Sequence, residues 1–265
     1  MTMHYATSWL IGMLVGLPTQ VVAQPIEVPH PVKARLACEK TGIVPGEPVL
    51  IGIVFEIEPK WHIYWDGVND TGVPPRIVWT APEGVKIGPV QWPAPSRHVI
   101  PGGLLDHVYE GRVTLLAPVT LDAEASATIE IGVDVMWTVC DEICLIDRAK
   151  LDITLPVVEA KSARPSADAK AFAEAKARLP KENEGAIELA WEGTSLTLTA
   201  PNAVEMSYFA RRGKATPANL VEEGHAKGSK LTLRFEGAGG IQGVVEATMP
   251  DGSHVIRHVS TTMPE

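Results

Sequence analysis

Glycine and proline interrupt this chain at short intervals, and this punctuation limits the folds that it can adopt. Between residues 29 and 156 the intervening segments are short and rich in β-branched and aromatic side chains. Short runs of this kind, separated by turn residues, are typical of an antiparallel β-sandwich. The predicted strands are 31–39, 48–57, 61–65, 75–80, 85–91, 112–119, 127–139 and 149–155.

The first predicted strand shows which of its faces is buried. Apolar residues alternate with polar or small ones from Val32 to Glu39, and Cys38 falls on the apolar side. Because successive side chains of a strand point to opposite faces, Cys38 is predicted to be a buried core thiol.

Residues 96–111 form the longest connection without clear periodicity in this half of the chain. Long ordered loops in small domains are often functional. We therefore predict that this stretch is a loop that covers a site.

The second half of the chain differs in composition from the first. Residues 158–180 are rich in Ala and Lys, and Phe172, Ala175 and Leu179 share one helical face, which predicts a helical linker. Further β-runs follow at 186–191, 195–200, 203–210, 230–235, 241–248 and 254–260. The predicted fold is therefore all-β: a sandwich over residues 24–157, the linker, and a smaller β-domain without cysteine over residues 181–265.

The amino terminus predicts export. Residues 9–17 are apolar but shorter than the roughly 20 residues that span a bilayer. Val21 and Ala23 then have the small-residue spacing of a signal-peptidase site. We predict a signal peptide over residues 1–23, cleaved near Ala23, and a soluble periplasmic protein without membrane insertion. Its formal net charge of -9 argues against nucleic acid as a partner.

Cys140 and Cys144 are separated by three residues at the end of a predicted strand. A tight turn there brings their Cα atoms within the span of a disulfide. A bridge closing so short a loop stabilises a protein by only about 2 kcal/mol, against about 4.7 kcal/mol for a loop of about a hundred residues. This small gain favours a redox role over a structural one, although a purely structural bridge stays open.

The charges around the pair are mainly negative. The acidic residues near the two cysteines in sequence are Asp141, Glu142 and Asp147, and the one basic residue near them is Arg148. Neighbouring anions disfavour a thiolate. We therefore expect a slow thiol pair that reacts when a docked partner orients it.

Copper binding is the competing chemistry. The spacing of Cys140 and Cys144 also opens the dinuclear copper motif of cytochrome oxidase subunits, but Arg148 and Leu151 stand where that motif has its histidine and methionine. Neither side chain can ligate copper. No metal or other cofactor is predicted. The alternative that remains is a copper site outside this motif, in which His62, His98 or His107 joins the two thiols.

Five short motifs occur in order along the first half of the chain. They are Val-Pro-Gly at 44–46, Lys-Trp-His-Ile-Tyr-Trp at 60–65, Gly-Val-Pro-Pro at 72–75, Trp-Pro-Ala-Pro at 92–95, and Trp-Thr-Val-Cys at 137–140 followed by Cys144. Together they resemble the amino-terminal periplasmic domain of DsbD-type thiol:disulfide interchange proteins, from about residue 29 to residue 157. The spacing of the two cysteines resembles the branch related to ScsB proteins.

This resemblance implies an immunoglobulin-like sandwich whose two cysteines alternate between dithiol and disulfide. Cys144 matches the cysteine that forms mixed disulfides with partners, and Cys140 matches the resolving one. His62, Tyr64 and Tyr109 are candidates for shielding the pair or forming its rim, whereas the tryptophans of the motifs are expected to pack in the core.

The resemblance also implies a part in protein-disulfide reduction. Electrons would come from a membrane electron conduit or a thioredoxin-like donor, here encoded separately, because no polytopic membrane segment or thioredoxin-like sequence follows residue 157. They would go to oxidised extracytoplasmic proteins, such as disulfide isomerases or cytochrome-maturation factors. A non-catalytic binding module with a structural disulfide and a copper-handling protein are the alternatives.

Overall fold

The computed structural model describes residues 30–122 and 127–264, so the predicted signal peptide lies outside the described residues. The described residues of the first half of the chain contain ten strands. They are β1 (Val32–Cys38), β2 (Val49–Ile57), β3 (His62–Tyr64), β4 (Arg76–Thr80), β5 (Val85–Ile87), β6 (Ser96–Ile100), β7 (Leu104–Tyr109), β8 (Arg112–Leu121), β9 (Thr128–Cys140) and β10 (Cys144–Pro156).

These strands form two sheets, in the orders β1-β2-β8-β5 and β10-β9-β3-β7-β6, and β4 also pairs with β9. Their pairings are antiparallel. The inner faces of the two sheets bury one main cluster, in which Phe55 meets Trp137 edge to face at 5.4 Å between ring centroids. The predicted immunoglobulin-like sandwich is confirmed.

The motif tryptophans belong to this core, as predicted. Trp65 is fully buried, and Trp61, Trp79 and Trp92 are partly buried against the same cluster. Cys38 is also buried, in a second cluster between the sheets, and carries a free thiol. Burial raises the pKa of this thiol, so Cys38 is unreactive in the folded protein.

The prediction of a loop over residues 96–111 is wrong. Strands β6 and β7 form a hairpin there, joined by a turn in which Gly102 and Gly103 have positive φ. Leu105 to Tyr109 are all buried, on both faces of the strand. A strand buried on both faces shows no polar alternation, and this explains the weak periodicity of the sequence.

The predicted helical linker contains helix α1 (Ala169–Ala177). Phe172 and Ala175 are buried on the outer face of the first sheet, against Val54 and Leu116. Gly52 leaves room for the Phe172 ring, because a Cβ on Gly52 would lie 3.1 Å from that ring. The linker is therefore held against the sandwich.

The rest of the chain forms a second, smaller β-domain. It contains β11 (Glu188–Glu192), β12 (Ser195–Thr199), β13 (Glu205–Arg211), β14 (Thr216–Pro217), helix α2 (Leu220–Glu223), β15 (His225–Lys227), β16 (Lys230–Glu236), β17 (Gly240–Thr248) and β18 (His254–Thr262). The sheet orders are β11-β12-β16-β14 and β15-β13-β17-β18.

The two domains share buried surface. Phe209, Val244 and Ile256 of the second domain belong to the same buried cluster as Trp65 of the first. Arg178, at the end of the linker, forms an ion pair with Glu246 of β17. Within the described residues, no helix is long and apolar enough to cross a bilayer.

Candidate functional site

Cys140 and Cys144 form a disulfide at the end of the β9–β10 hairpin. Cys140 is the last residue of β9, Cys144 is the first of β10, and the two face each other in the strand register with their Cα atoms 4.2 Å apart. Asp141 to Ile143 make the turn between them. The tight turn predicted from the spacing is therefore present.

The two sulfur-bearing residues differ sharply in exposure. Cys140 is 2% exposed and packs with Tyr64 and Val108, whereas Cys144 is exposed. An attacking thiolate must reach one sulfur atom of the disulfide along an open path, and it displaces the other sulfur as the leaving group. In this arrangement Cys144 is open to a partner and Cys140 is covered.

His62 lies next to the pair. It stands opposite Cys140 in the register of β3 and β9, so both side chains project from the same face of the sheet. Its ring lies 4.6 Å from that of His98 and 5.3 Å from that of Tyr64, measured between centroids. Burial lowers the pKa of His62, and His98 lowers it further. His62 is therefore a neutral imidazole at neutral pH.

Tyr64 forms the wall over Cys140 and is itself fully buried. Its hydroxyl lies 3.4 Å from the hydroxyl of Thr71. Gly72 lies flat on the Tyr64 ring, because a Cβ there would come within 2.0 Å of a ring carbon. Burial raises the pKa of Tyr64, so its phenol stays protonated. Two of the predicted shielding residues, His62 and Tyr64, thus lie beside Cys140.

Tyr109, the third candidate, does not lie with the cysteines. It faces the interior of the sandwich from β7, is buried in the main cluster, and donates a hydrogen bond to the carbonyl of Pro93. Tyr109 lies one residue beyond Val108, which does contact Cys140, and alternate residues of a strand face opposite sides. The prediction that Tyr109 shields the pair is therefore corrected.

Asp106 was not among the predicted site residues, although it organises the cover over Tyr64. Its carboxylate is fully buried and accepts hydrogen bonds from the backbone N–H groups of Asp70 and Thr71, at 2.8 and 3.0 Å, and from the Thr71 hydroxyl. A buried carboxylate is stable when donors surround it in this way. The sequence signal was one acidic residue in the segment Leu104–Tyr109, which is apolar apart from Asp106 and His107.

The histidines considered for a looser copper site do not converge. His62 and His98 are neighbours, but the Nδ1 atom of His107 lies on the other side of the sheet, 2.7 Å from the carbonyl oxygen of Val68. Residues 30–122 and 127–264 contain no group of three or more His, Cys, Asp or Glu side chains arranged to hold a metal ion.

Three exposed apolar side chains lie on the β9–β10 hairpin that carries Cys144. Ile143 in the turn is 57% exposed, Ile146 on β10 is 76% exposed, and Met136 on β9 is 40% exposed. Ile146 and Met136 lie on the same face of the sheet as Cys144, since all three alternate with inward-facing residues. Ile143, Ile146 and Met136, which we call the apolar rim, offer an exposed apolar surface on the hairpin that carries Cys144.

His107 makes the stability of the protein sensitive to acid. Burial lowers the pKa of His107 to about 4, although its hydrogen bond to Val68 opposes the shift. An unfolded histidine titrates near pH 6.5, so below that pH the unfolded chain binds the proton and the folded protein does not. We expect the free energy of unfolding, measured with urea, to fall by roughly 3 kcal/mol between pH 7 and pH 4 on this account.

The control for this prediction is His107→Gln, which keeps a side-chain donor but cannot titrate. Its free energy of unfolding should fall clearly less over the same pH range than that of the parent protein. Equal pH dependence of the two proteins would contradict the prediction.

The chain is similar to one known protein family and to solved structures. The family model described as the N-terminal part of thiol:disulfide interchange protein DsbD matches residues 29–156. The crystal structure of the N-terminal periplasmic domain of ScsB from Proteus mirabilis is 17% identical, covers 92% of this chain and 97% of its own, and superposes with a TM-score of 0.58. This likeness shows a common fold that extends over both domains.

A protein of unknown function from Porphyromonas gingivalis W83 is 11% identical, with 88% of this chain and 99% of that chain covered. Its TM-score is 0.26. No curated protein sequence matches the chain.

Proposed function

Residues 29–156 belong to the family of DsbD N-terminal domains, and on this premise we propose that the protein is a thiol:disulfide exchange protein that carries electrons on Cys140 and Cys144. It acts as a component of protein-disulfide reduction outside the cytoplasm. The observation that carries this proposal is the unequal exposure of the two bonded cysteines, one open and one covered.

Unequal exposure gives the two sulfur atoms different roles. In the reduced protein the thiolate of Cys144 attacks a partner's disulfide, forms a mixed disulfide, and releases one partner sulfur as a thiolate. The thiolate of Cys140 then attacks Cys144, which releases the second partner sulfur and closes the Cys140–Cys144 disulfide. Two electrons and two protons pass to the partner, and a dithiol donor restores the reduced state by the reverse steps.

The surroundings of the pair favour reaction with a docked protein. Asp141 and Glu142 are exposed beside Cys144 and disfavour a free thiolate. The apolar rim supplies area that a partner can bury when it docks. Reaction with a docked protein is therefore expected to be faster than reaction with a small charged thiol.

The proposed partners follow from the family and from the predicted signal peptide over residues 1–23. A membrane electron conduit or a thioredoxin-like donor reduces the pair, and oxidised proteins in the periplasm accept the electrons. The structural alternative is weak in energetic terms, since a bridge closing a loop of about five residues stabilises by only about 2 kcal/mol.

The direct test is equilibration of the protein in glutathione buffers of graded redox poise, followed by denaturation and counting of free thiols. The chain has three cysteines. We expect a reversible change between three free thiols in reducing buffer and one, that of Cys38, in oxidising buffer. The variant Cys38→Ser should show the same two-thiol change.

Two outcomes would contradict the proposal. If Cys140 and Cys144 stay oxidised at every ratio of reduced to oxidised glutathione that is tested, the disulfide is structural. Stoichiometric copper retention that disappears in Cys144→Ser, without redox cycling of the parent protein, would indicate copper handling.

A further inference from the structure

Residues 66–72 lie between strands β3 and β4 and cover Tyr64, which forms the wall over the buried Cys140. Its last residue, Gly72, rests on the Tyr64 ring, and Tyr64 in turn packs against Cys140. We call residues 66–72 the covering segment. Its position decides whether Tyr64, and therefore Cys140, is closed off from solvent.

The second domain holds the amino-terminal end of the covering segment. The backbone N–H of Val68 donates a hydrogen bond of 2.9 Å to the carbonyl oxygen of Ala210. Arg211 forms an ion pair with Asp66, with 2.9 Å between Nη1 and Oδ2. The same guanidinium lies 4.8 Å above the centre of the Trp65 ring. Two adjacent residues of β13 thus contact the covering segment and the residue before it.

Hydrogen bonds to strand β7 hold the rest of the segment. The His107 ring bonds to the carbonyl of Val68, and the His107 backbone N–H donates to the side chain of Asn69, both at 2.7 Å. The buried Asp106 carboxylate then accepts from Asp70 and Thr71. A continuous set of contacts therefore joins the second domain to the wall over Cys140.

We propose that the second domain is a positioning element of the redox site, which holds the covering segment through Ala210 and Arg211 so that Cys140 stays covered while Cys144 is open. Arg211 is the positioning residue, and it does not touch the reacting sulfur atoms. The proposal rests on the exchange function inferred for Cys140 and Cys144. On this proposal the cysteine-free domain directs partner thiols to one of the two sulfur atoms.

A second ion pair provides a matched control. Glu246 of β17 pairs with Arg178 of the linker, and Arg178 also bonds to the carbonyls of Ala94 and Pro95. This pair joins the second domain to the first half of the chain but does not contact the covering segment. Glu246→Gln therefore weakens attachment of the domain without releasing residues 66–72.

The experiment measures alkylation of each cysteine in the full chain. The protein is reduced with dithiothreitol, freed of reductant, and treated with a short pulse of iodoacetamide, and mass spectrometry quantifies modification at Cys140, Cys144 and Cys38. In Arg211→Ala we expect the Cys140 rate to rise about tenfold through local opening of the segment. The Cys144 rate should stay within about twofold, because that side chain is already exposed.

Two comparisons distinguish local release from general loosening. Arg211→Lys keeps the charge opposite Asp66 and should return the Cys140 rate most of the way to that of the parent protein. Glu246→Gln should leave the Cys140 rate unchanged. Cys38 reports global unfolding, because it is buried elsewhere in the core and should stay unmodified in all these proteins.

The proposal is overturned if Arg211→Ala leaves the Cys140 rate unchanged, or if Glu246→Gln raises it equally. If Arg211→Ala also exposes Cys38, the same measurement is made on Asp66→Asn, which removes the ion pair by changing the partner of Arg211. An unchanged Cys140 rate in that variant, with Cys38 protected, overturns the proposal. Alkylation needs no redox partner, so a failure of glutathione cycling would be a separate result.

Discussion

Replacing Cys144 with serine is expected to abolish thiol exchange, lowering its rate by more than about a hundredfold, to the background of the buried thiol alone. The remaining cysteine of the pair, Cys140, is 2% exposed and covered by Tyr64 and Val108, so a disulfide in solution cannot reach it. The reduced variant is mixed with oxidised glutathione, and mass spectrometry follows the formation of protein–glutathione adducts.

The reciprocal variant, Cys140→Ser, should behave in the opposite way. Its exposed Cys144 can still attack glutathione disulfide, but no second thiol remains to resolve the product. A stable adduct on Cys144 should therefore accumulate, whereas the parent protein should pass through this adduct and close its own disulfide.

Cys38→Ser is the control for both variants and should react like the parent protein, since Cys38 is buried and its thiol pKa is raised. An adduct that forms on Cys140 in Cys144→Ser as fast as on Cys144 in Cys140→Ser would show that exposure does not set the order of attack. The roles assigned to the two cysteines would then be wrong.

Local sequence predicted the parts of the site that depend on chain neighbours. Three residues between Cys140 and Cys144, at the end of a strand, suffice to predict a tight turn and a disulfide. The alternation around Cys38 likewise predicted a core position. In both cases a few neighbouring residues fix the geometry, so no knowledge of the remaining chain is needed.

The cover over the site could not be predicted in this way, because distant parts of the chain build it. The Asp106 carboxylate accepts hydrogen bonds from the backbone N–H groups of Asp70 and Thr71, which precede it by 36 and 35 positions in the sequence. Arg211 meets Asp66 across 145 positions. The position of Tyr109 was wrongly predicted for a local reason: Val108 contacts Cys140, whereas Tyr109, the next residue of β7, faces the sandwich core.

The hairpin of β6 and β7 shows a further limit of pattern reasoning. Period-two alternation identifies a strand only when one face meets water. Strand β7 has the sandwich core on one side and Tyr64 on the other, so both faces are buried, and the adjacent polar residues Asp106 and His107 break the alternation. The sequence pattern therefore predicted a loop where β7, one of the most buried strands among the described residues, lies.

Trp65→Ala is expected to lower the free energy of unfolding by about 3–5 kcal/mol, the range for truncating a large buried aromatic side chain. Trp65 is fully buried where the sandwich, the covering segment and the second domain meet. Its ring packs against those of His107 and Phe209, with centroids 5.9 and 6.2 Å away. Truncation leaves a cavity that none of these elements can fill alone. Urea unfolding followed by far-ultraviolet circular dichroism measures the loss.

Trp61→Ala is the matched control, because Trp61 stands in the same motif and is only partly buried. Truncation there should cost less than about 2 kcal/mol, since less apolar surface returns to water and no closed cavity forms. Because Trp65 and Phe209 join one buried cluster across both domains, the parent protein should unfold in a single transition. The prediction would be contradicted if Trp65→Ala and Trp61→Ala lost equal free energy of unfolding. Separate unfolding transitions for the two domains of the parent protein would show that Trp65 does not couple the two domains.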